Sequence, residues 1–365
     1  MSTRARYFVV PCLCLLVVPF AGGCSQSIEI VNLELVSVEP LPVAGRVRLC
    51  PVLKPTLAYL EDIERSPNVQ SVTKVTANED KATQIGAPVV SPVLRDNVLV
   101  YWEFYWEAGG RWYSRIFKQT IGSPAKTPLT NEKYQDIFPT IVPGGDHVIF
   151  GSNRTSANHT LWRVRTAGGG GMTRLTNTLS EDFGPSVSPD GRLLAFSSIA
   201  PEAREPHIWT MPVDGSLPTQ LREGAFPQMS PGDGKRILFT RKDKITNRSQ
   251  IWVMNIDGNE ETLLTQNVDS DAIDSRWSPD GKWIVFASDE GKDSKGRQNF
   301  DIWLMTADGA QRTQLTTNGS RDDSPCFDAA GENIYFRSNR GGKWNIWRFK
   351  PEPVGPTETR PASPE

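Results

Sequence analysis

Three aspartates share one spacing, and carboxylates in that position serve one of two purposes. Asp136, Asp182 and Asp322 each lie three residues before a proline, at the entry to a short apolar segment. One role is a local cap, in which the carboxylate accepts hydrogen bonds from nearby backbone N–H groups. The other role is contact with a partner, because charged groups at a channel mouth orient a bound peptide or protein. The sequence leaves both open.

Basic side chains occur in the polar segments that separate the apolar runs. The candidate partner contacts among them are Arg241, Lys242, Lys244, Arg297 and Arg340. Solvated loop surface is the alternative, since lysine and arginine are mostly exposed in folded proteins. If they lie outside the aspartates, they form a polar face suited to a peptide or protein partner.

The usual motifs of hydrolytic or metal chemistry are missing from the sequence. It contains no Gly-x-Ser-x-Gly, no His-Glu-x-x-His and no Cys-x-x-Cys. The three histidines, His147, His159 and His207, follow no repeat spacing. The glycine run at 168–171 takes the place of a turn and precedes no helix, which argues against a phosphate loop. We therefore predict no catalytic residue, no metal and no cofactor, and a binding protein is favoured over an enzyme.

These candidate residues belong to a repeated unit of four short strands. In one copy, the turn 278–281 (Ser-Pro-Asp-Gly) precedes the apolar run 283–288, then 302–305 (Ile-Trp-Leu-Met), the turn 308–309 (Asp-Gly) and 313–316. Asp-Gly is a tight-turn dipeptide because glycine accepts positive φ. The recurring tryptophans at 162, 209, 252, 303 and 347 are 47, 43, 51 and 44 residues apart. A period of roughly 40–45 residues with four strands per unit indicates propeller blades, and the tryptophans are expected to pack between them.

The two ends of the repeat array predict how the ring closes. The segment 70–76 resembles the last strand of a unit, yet no first three strands precede it, whereas the unit after Pro325 lacks a last strand. Pairing the two removes both free sheet edges, which otherwise invite aggregation. The sequence therefore predicts an all-β, six-bladed β-propeller of four-stranded blades, with the last blade completed by an N-terminal strand. The blades are expected to begin near residues 87, 138, 184, 226, 276 and 325.

This repeat resembles that of TolB-type β-propellers. The shared residues are Ser-Pro-Asp-Gly-Lys before an apolar strand, then Ile-Trp-x-Met, Asp-Gly and Leu-Thr, over about residues 70–349. The resemblance implies a propeller whose usual role is to bind other proteins. TolB carries an α/β domain before its propeller, and this chain lacks that pattern there. We therefore expect the propeller and its binding role without membership of the Tol system.

The N-terminal residues predict export. Arg4 and Arg6 precede an apolar run, Phe8–Phe20, which is too short for a confident membrane span. Small residues then precede Cys24, and this stretch resembles the lipobox of bacterial lipoproteins, which implies a lipid on Cys24. An ordinary secretory signal cut near the same place is the alternative. Both place the protein outside the cytoplasm, in the periplasm or at the outer membrane of a Gram-negative cell.

Removal of the signal and lipidation of Cys24 would leave Cys50 and Cys326. A disulfide between them and two buried thiols both remain open, because the sequence does not show whether they approach each other.

Charge excludes one class of partner. The chain has 40 basic and 42 acidic residues, a formal net charge of -2, whereas a sequence-independent nucleic-acid binder needs a basic face.

The domain prediction is a signal peptide at 1–23, a tether and short packed segment at 24–68, the propeller at 69–350 and a disordered Pro-rich tail at 351–365. The predicted function is a lipid-anchored scaffold that binds an envelope protein or peptide. The alternatives are a propeller polysaccharide lyase or hydrolase with its active site in the channel, and a glycan or small-ligand sensor.

Overall fold

The computed structural model describes residues 69–76, 82–85, 89–90, 98–107, 110–168, 171–292 and 296–351. The predicted signal and tether at 1–68, with Cys24 and Cys50, lie outside the described residues, as does 352–365 of the predicted tail. The lipidation therefore stays a prediction, and the choice between a Cys50–Cys326 disulfide and two buried thiols stays open. In the described part of the chain, no helix has the length and apolar character needed to cross a membrane.

The structure is a ring of six antiparallel blades, as predicted. The strands of blades 1 to 3 are β2 (Ala82–Ile85), β3 (Val89–Val90), β4 (Val98–Trp106), β5 (Trp112–Thr120) and β6 (Lys126–Pro128); β7 (Asp136–Ile141), β8 (His147–Ser152), β9 (Thr160–Arg165) and β10 (Thr173–Arg174); and β11 (Glu181–Val187), β12 (Leu193–Ile199), β13 (His207–Pro212) and β14 (Thr219–Glu223). Both β2 and β3 pair with β4. Blade 1 therefore begins at Ala82, a few residues earlier than predicted.

Blades 4 to 6 repeat the pattern. Their strands are β15 (Ala225–Met229), β16 (Arg236–Lys242), β17 (Ser249–Asn255) and β18 (Thr262–Leu263); β19 (Ala272–Trp277), β20 (Trp283–Ser288), β21 (Asp301–Thr306) and β22 (Arg312–Gln314); and β23 (Asp322–Phe327), β24 (Ile334–Ser338), β25 (Asn345–Pro351) and β1 (Val69–Lys74). A short 3-10 turn, Arg340–Gly342, precedes β25.

The second strand of each blade is the apolar centre of the fold. In β20, Ile284, Val285, Phe286 and Ala287 are all fully buried, because the strand is covered on both faces by neighbouring blades. A continuous apolar run is the expected pattern for such a strand. The recurrent tryptophans are half-buried and pack against clusters of buried apolar side chains that join neighbouring blades. Trp162, for example, lies on the cluster that joins blades 1 and 2. The predicted packing role is confirmed for them.

The N-terminal strand closes the ring, as predicted. β1 pairs antiparallel with β25, with Val72 opposite Phe349 and Lys74 opposite Trp347. Thr76 then accepts a hydrogen bond at Oγ1 from the Ile346 backbone N–H (3.0 Å). In blade 5 Thr316 does the same for Ile302 (2.9 Å). The threonine of the Leu-Thr motif thus pins the third strand, and Thr76 supplies this bond to blade 6 from the other end of the chain.

The Ser-Pro-Asp-Gly turn is a self-contained hydrogen-bonded unit. Ser278 Oγ donates to Asp280 Oδ1 (2.6 Å) and accepts from the Trp283 N–H (2.9 Å). Gly281 takes φ 70°, a left-handed conformation that costs a residue with a side chain roughly 1–2 kcal/mol. These turns and those between the third and fourth strands form one side of the ring, here called the short-turn face. The longer connections, between the second and third strands and between blades, form the crossover face.

Candidate functional site

The three predicted aspartates lie at the crossover-face end of the innermost strands, but they face inward. Asp136, Asp182 and Asp322 have no solvent exposure. Arg154 Nη2 donates to Asp136 Oδ1 (2.8 Å), and Arg340 Nη2 donates to Asp322 Oδ2 (2.5 Å). A partner outside the fold therefore cannot touch these carboxylates. Their hydrogen-bond donors are side chains, not the backbone N–H groups that a local cap was expected to bind.

Among the described residues, hydroxyl groups and not an arginine bind the third aspartate. Ser198 Oγ donates to Asp182 Oδ1 (2.6 Å), and Thr178 Oγ1 donates to Asp182 Oδ2 (2.8 Å). Burial raises the pKa of Asp182, and the hydroxyl donors only partly offset this effect.

A repeated tripeptide, Ser-Asn-Arg at 152–154 and again at 338–340, builds the two arginine–aspartate pairs. In both copies the arginine Nε donates to the serine Oγ at 3.0 Å, which aims the guanidinium back at the aspartate. Sequence reasoning placed Arg340 among exposed basic loops and passed over Arg154. Arg340 is fully buried, so that placement is corrected. Ser-Asn-Arg begins 16 residues after Asp136 and again 16 residues after Asp322. This repetition is the sequence pattern that indicates a buried arginine at both positions.

The other predicted basic residues lie on the crossover face with different exposure. Lys242 and Arg297 are exposed, and the Lys244 side chain is 81% exposed with Glu223 at 3.2 Å. Arg241 is held instead: its Nη1 lies 2.6 Å from Glu261, and its guanidinium stacks on Trp252 at 3.9 Å. Three of the five basic residues are therefore exposed at the surface.

Large apolar side chains are exposed almost entirely on the same face. In the described part of the chain, six are exposed: Trp106, Tyr134, Leu179, Leu217, Ile245 and Val268. Trp106 ends β4 at the crossover face, and the others except Leu217 lie on connections of that face. Where exposed apolar side chains form a contiguous patch, they mark an interaction surface.

One side of the channel is aromatic. The rings of Phe138, Phe183 and Phe226 touch one another, with centroids 5.2 to 6.2 Å apart. Phe138 and Phe226 have positive φ, 51° and 54°, at a β-bulge shared by the innermost strands. The bulge turns these residues toward the axis, which the sequence analysis did not foresee. In the sequence, the proline that follows each of these two phenylalanines, Pro139 or Pro227, marks the bulge position.

The other side of the channel is charged. At the same bulge stand Asp274 (φ 55°) and Ser324 (φ 54°), and the Ser324 N–H and Oγ both donate to Asp274 Oδ2, at 3.1 and 3.0 Å. The neighbouring Asp323 is buried and accepts from Arg337 Nε and Nη2 (2.6 and 2.7 Å) and from Arg321 Nε (2.7 Å). None of these residues was singled out from the sequence.

The pKa values of the Asp274 and Asp323 carboxylates are shifted in opposite directions. Burial raises the pKa of Asp274, and the negative charge of Asp323 adds to the effect. Burial also acts to raise the pKa of Asp323, but the positive charges of Arg337 and Arg321 outweigh it and hold that pKa below its usual range. Within the described ranges, no cluster of three or more His, Cys, Asp or Glu side chains is arranged to hold a metal ion.

Below the aromatic residues, the channel widens into a cavity of about 320 Å³ on the short-turn face. Its apolar lining includes Phe138, Phe226, Trp277 and prolines from four innermost strands or their turns, and its charged lining is Arg276 and Asp328. Cys326, whose pairing with Cys50 the sequence left open, is also in this lining and is buried.

Comparison with known proteins places this architecture in a family. The family described as the Tricorn protease N-terminal beta propeller domain matches residues 155–358, more than half of the chain. The chain belongs to this family. Among solved structures, this Tricorn-type propeller is similar to a putative TolB from Agrobacterium tumefaciens, with a TM-score of 0.54 at 20% identity over 74% of this chain and 91% of that one. The predicted TolB-like six-bladed propeller is confirmed.

Enzymes share the fold as well. A gluconolactonase from Xanthomonas campestris has a TM-score of 0.56 at 12% identity, and an oligogalacturonate lyase from Vibrio parahaemolyticus has 0.54 at 11%; both matches cover 79% of this Tricorn-type propeller and 95% of the other chain. At these identities the likeness concerns the fold alone.

Curated relatives match over shorter stretches. A TolB homolog of Chlorobium luteolum is 27% identical over 143 residues, 38% of this chain and 30% of its own. An uncharacterized protein of Agrobacterium fabrum is 33% identical over 114 residues, 31% of this chain and 36% of its own. The matched part of the propeller thus spans about a third of the length of these relatives.

Proposed function

We propose that this protein is an extracytoplasmic, lipid-anchored propeller that binds a protein or peptide through its crossover face. The observation that carries the proposal is the distribution of exposed apolar side chains. Trp106, Tyr134, Leu179, Ile245 and Val268 are exposed on the crossover face, and among the described residues Leu217 is the one large apolar side chain exposed on the opposite face. Binding a partner removes such surface from water, at roughly 25 cal/mol for each Å² of apolar area.

The exposed cations add direction to this surface. Lys242, at the end of β16, and Lys244 both lie just before Ile245. Lys244 forms a surface ion pair with Glu223, and such a pair contributes about 0–1 kcal/mol. An acidic segment of a partner would meet both charges at little cost. Rim charges of this kind mainly raise association rates and make them depend on salt.

A pair of matched positions tests the face. A photoreactive phenylalanine analogue replaces Ile245 (94% exposed) in one strain and Leu217 (84% exposed) in another, and both are irradiated in intact cells. We expect a discrete protein crosslink from position 245 and none from position 217. Crosslinks of equal yield from both positions, or from position 217 alone, would contradict the assignment of the face.

The anchor is tested at Cys24. Two acyl chains on a modified cysteine give stable membrane association, whereas one myristoyl-length chain gives only reversible binding. We expect Cys24→Ala to leave an unprocessed or soluble protein, and we expect mass spectrometry of the wild type to find acyl chains on a mature N-terminus at residue 24. A wild type that fractionates as soluble protein without lipid would overturn the anchor and leave the propeller's binding face untouched.

A second candidate function rests on the shifted carboxylates. Two acids with pKa values moved apart in one channel form the arrangement in which one donates a proton while the other stays ionised. Asp274 would be the acid, and Asp323 the charge that Arg337 fixes. A hydrolase or polysaccharide lyase would use such a pair. The test is cleavage of polygalacturonate by the wild type and by Asp274→Asn: activity lost only in the variant supports the enzyme, and an inactive wild type argues against this substrate.

A further inference from the structure

The cavity on the short-turn face holds a cation with few partners. Arg276 lies two residues after Asp274 on β19 and lines the cavity. An arginine side chain carries five N–H donors. In the described part of the chain its guanidinium makes one hydrogen bond, from Nη1 to the Ser275 backbone oxygen at 3.3 Å. The remaining donors are left to whatever occupies the cavity.

The charges around Arg276 set what that occupant can be. Asp274 attracts the guanidinium but already accepts two hydrogen bonds from Ser324. Asp328, on the cavity wall, is engaged by its own turn, since the Glu332 N–H donates to Oδ1 (2.8 Å) and Asn333 Nδ2 donates to Oδ2 (2.6 Å). Two carboxylates would repel a doubly charged phosphate. A singly charged anion gains the guanidinium with less repulsion.

Most of the remaining lining is apolar, with Thr140, Gln228, Ser230 and Ser278 as its other polar residues. Prolines 139, 143, 185, 189, 231 and 279 surround the cavity, with Trp277 on its wall and Phe138 and Phe226 at its inner end. Trp277 is fixed, because its Nε1 donates to the Gln228 oxygen (3.2 Å). A volume of about 320 Å³ is at the lower end of the roughly 300–1,000 Å³ of small-molecule sites, which combine apolar walls with a few polar groups.

We propose that this cavity binds a small monocarboxylate with an apolar body, with Arg276 holding the carboxylate and Trp277, Phe138 and Phe226 enclosing the body. Arg276 is half-buried, and burial lowers its pKa below the usual range. An anion at its open N–H donors offsets that cost, because it replaces the water that a partly buried cation has lost. The site is on the opposite face from the proposed partner surface and does not depend on it.

Calorimetric titration tests the charge requirement. The probes are 3-phenylpropionate, its uncharged amide 3-phenylpropanamide, and inorganic phosphate. We expect saturable binding of 3-phenylpropionate, at least tenfold weaker binding of the amide, and no competition by phosphate. Binding of the amide as tight as that of the acid, competition by phosphate, or no binding of the acid would overturn the proposal.

Variants place the binding at the cavity. Arg276→Gln should weaken 3-phenylpropionate at least tenfold, whereas Arg192→Gln, the same change at an exposed position on the same face, should leave it unchanged. Asp274→Asn should tighten binding, because it removes the charge that competes for Arg276. Asp274→Asn also tests the proposal if Arg276→Gln fails to fold. Unchanged or weaker binding of 3-phenylpropionate by Asp274→Asn would contradict the proposed site.

Binding of a peptide then distinguishes a peptide C-terminus from a free organic acid as the source of the carboxylate. The tripeptide Ala-Ala-Phe carries the same phenyl group and a chain-terminal carboxylate. Tighter binding of the tripeptide than of 3-phenylpropionate identifies a peptide C-terminus as the ligand, and weaker binding identifies a free organic acid.

Discussion

The two sides of the channel are built on one backbone and filled with opposite chemistry. On blades 2 to 4, Phe138, Phe183 and Phe226 meet ring to ring. On blades 5 and 6, Asp274 and Asp323 stand among arginines. The turns and the buried second strands hold every blade in the same shape, so residues at the axis do little of the packing within a blade. That freedom lets one side close the channel while the other carries charge.

The same contrast extends to the buried aspartates of the crossover face, and the largest effect is expected there. Asp322→Asn breaks a fully buried pair with Arg340 and should lower the free energy of unfolding by about 3–5 kcal/mol. Asp182→Asn, at the equivalent position of blade 3, should change it by less than about 1 kcal/mol, because an amide can still bond the Ser198 and Thr178 hydroxyls. Denaturant unfolding measures both, and equal losses would remove the contrast between the two blades.

The next effect is expected inside the charged side. Asp323→Asn leaves Arg337 without its carboxylate and should cost about 3 kcal/mol, at the low end for a buried pair because Arg321 is 42% exposed and can turn to solvent. A leucine at Arg337 in the same background should recover part of the loss, since it removes the uncompensated charge. If the double variant is less stable than Asp323→Asn alone, the loss does not come from that charge.

The aromatic side is tested by adding one methyl group. A Cβ at Gly184 (φ 59°) would lie 3.0 Å from the Phe226 ring, whereas a Cβ at Gly191 (φ 73°) meets nothing within 4 Å. Gly191→Ala should cost about 1 kcal/mol for the left-handed backbone alone. Gly184→Ala should cost about 2 kcal/mol, because crowding of the ring is added. Thermal unfolding of the two variants compares them, and identical losses would mean that the ring moves aside freely.

The smallest effect expected is the dependence of stability on pH. A raised pKa, as for Asp274, means that stability increases as pH falls through the folded value toward the unfolded value of about 3.9. A lowered pKa, as for Asp323, means that stability is lost as pH falls below about 3.9. Relative to Asp274→Asn, the wild type should therefore gain stability on acidification above pH 4. Relative to Asp323→Asn it should lose stability below pH 4. The free energy of unfolding is measured against pH for the wild type and both variants, and parallel curves would contradict the opposite pKa shifts.

The sequence alone determined the blades, their number and the closing strand. Each follows from residues close together in the chain: Ser278 and Asp280 make their turn locally, and the buried second strands show as continuous apolar runs. The closure was predicted by counting strands. One end of the repeat array has a spare strand and the other lacks one, and pairing the two removes both exposed sheet edges. The buried Ser-Asn-Arg arginines were also within reach, since the tripeptide occurs twice.

Only the tertiary structure decided which side chains meet at the axis. Asp274 bonds Ser324, 50 residues away in the next blade, and the Trp277 indole donates to Gln228, 49 residues away. No local pattern encodes such pairs, because the bulge of each innermost strand sets where its residue points and the ring sets what it faces. The burial of Asp136, Asp182 and Asp322 has the same cause. Their spacing before proline located them at the strand entry, but whether a carboxylate there meets solvent or an arginine depends on the loop folded over it.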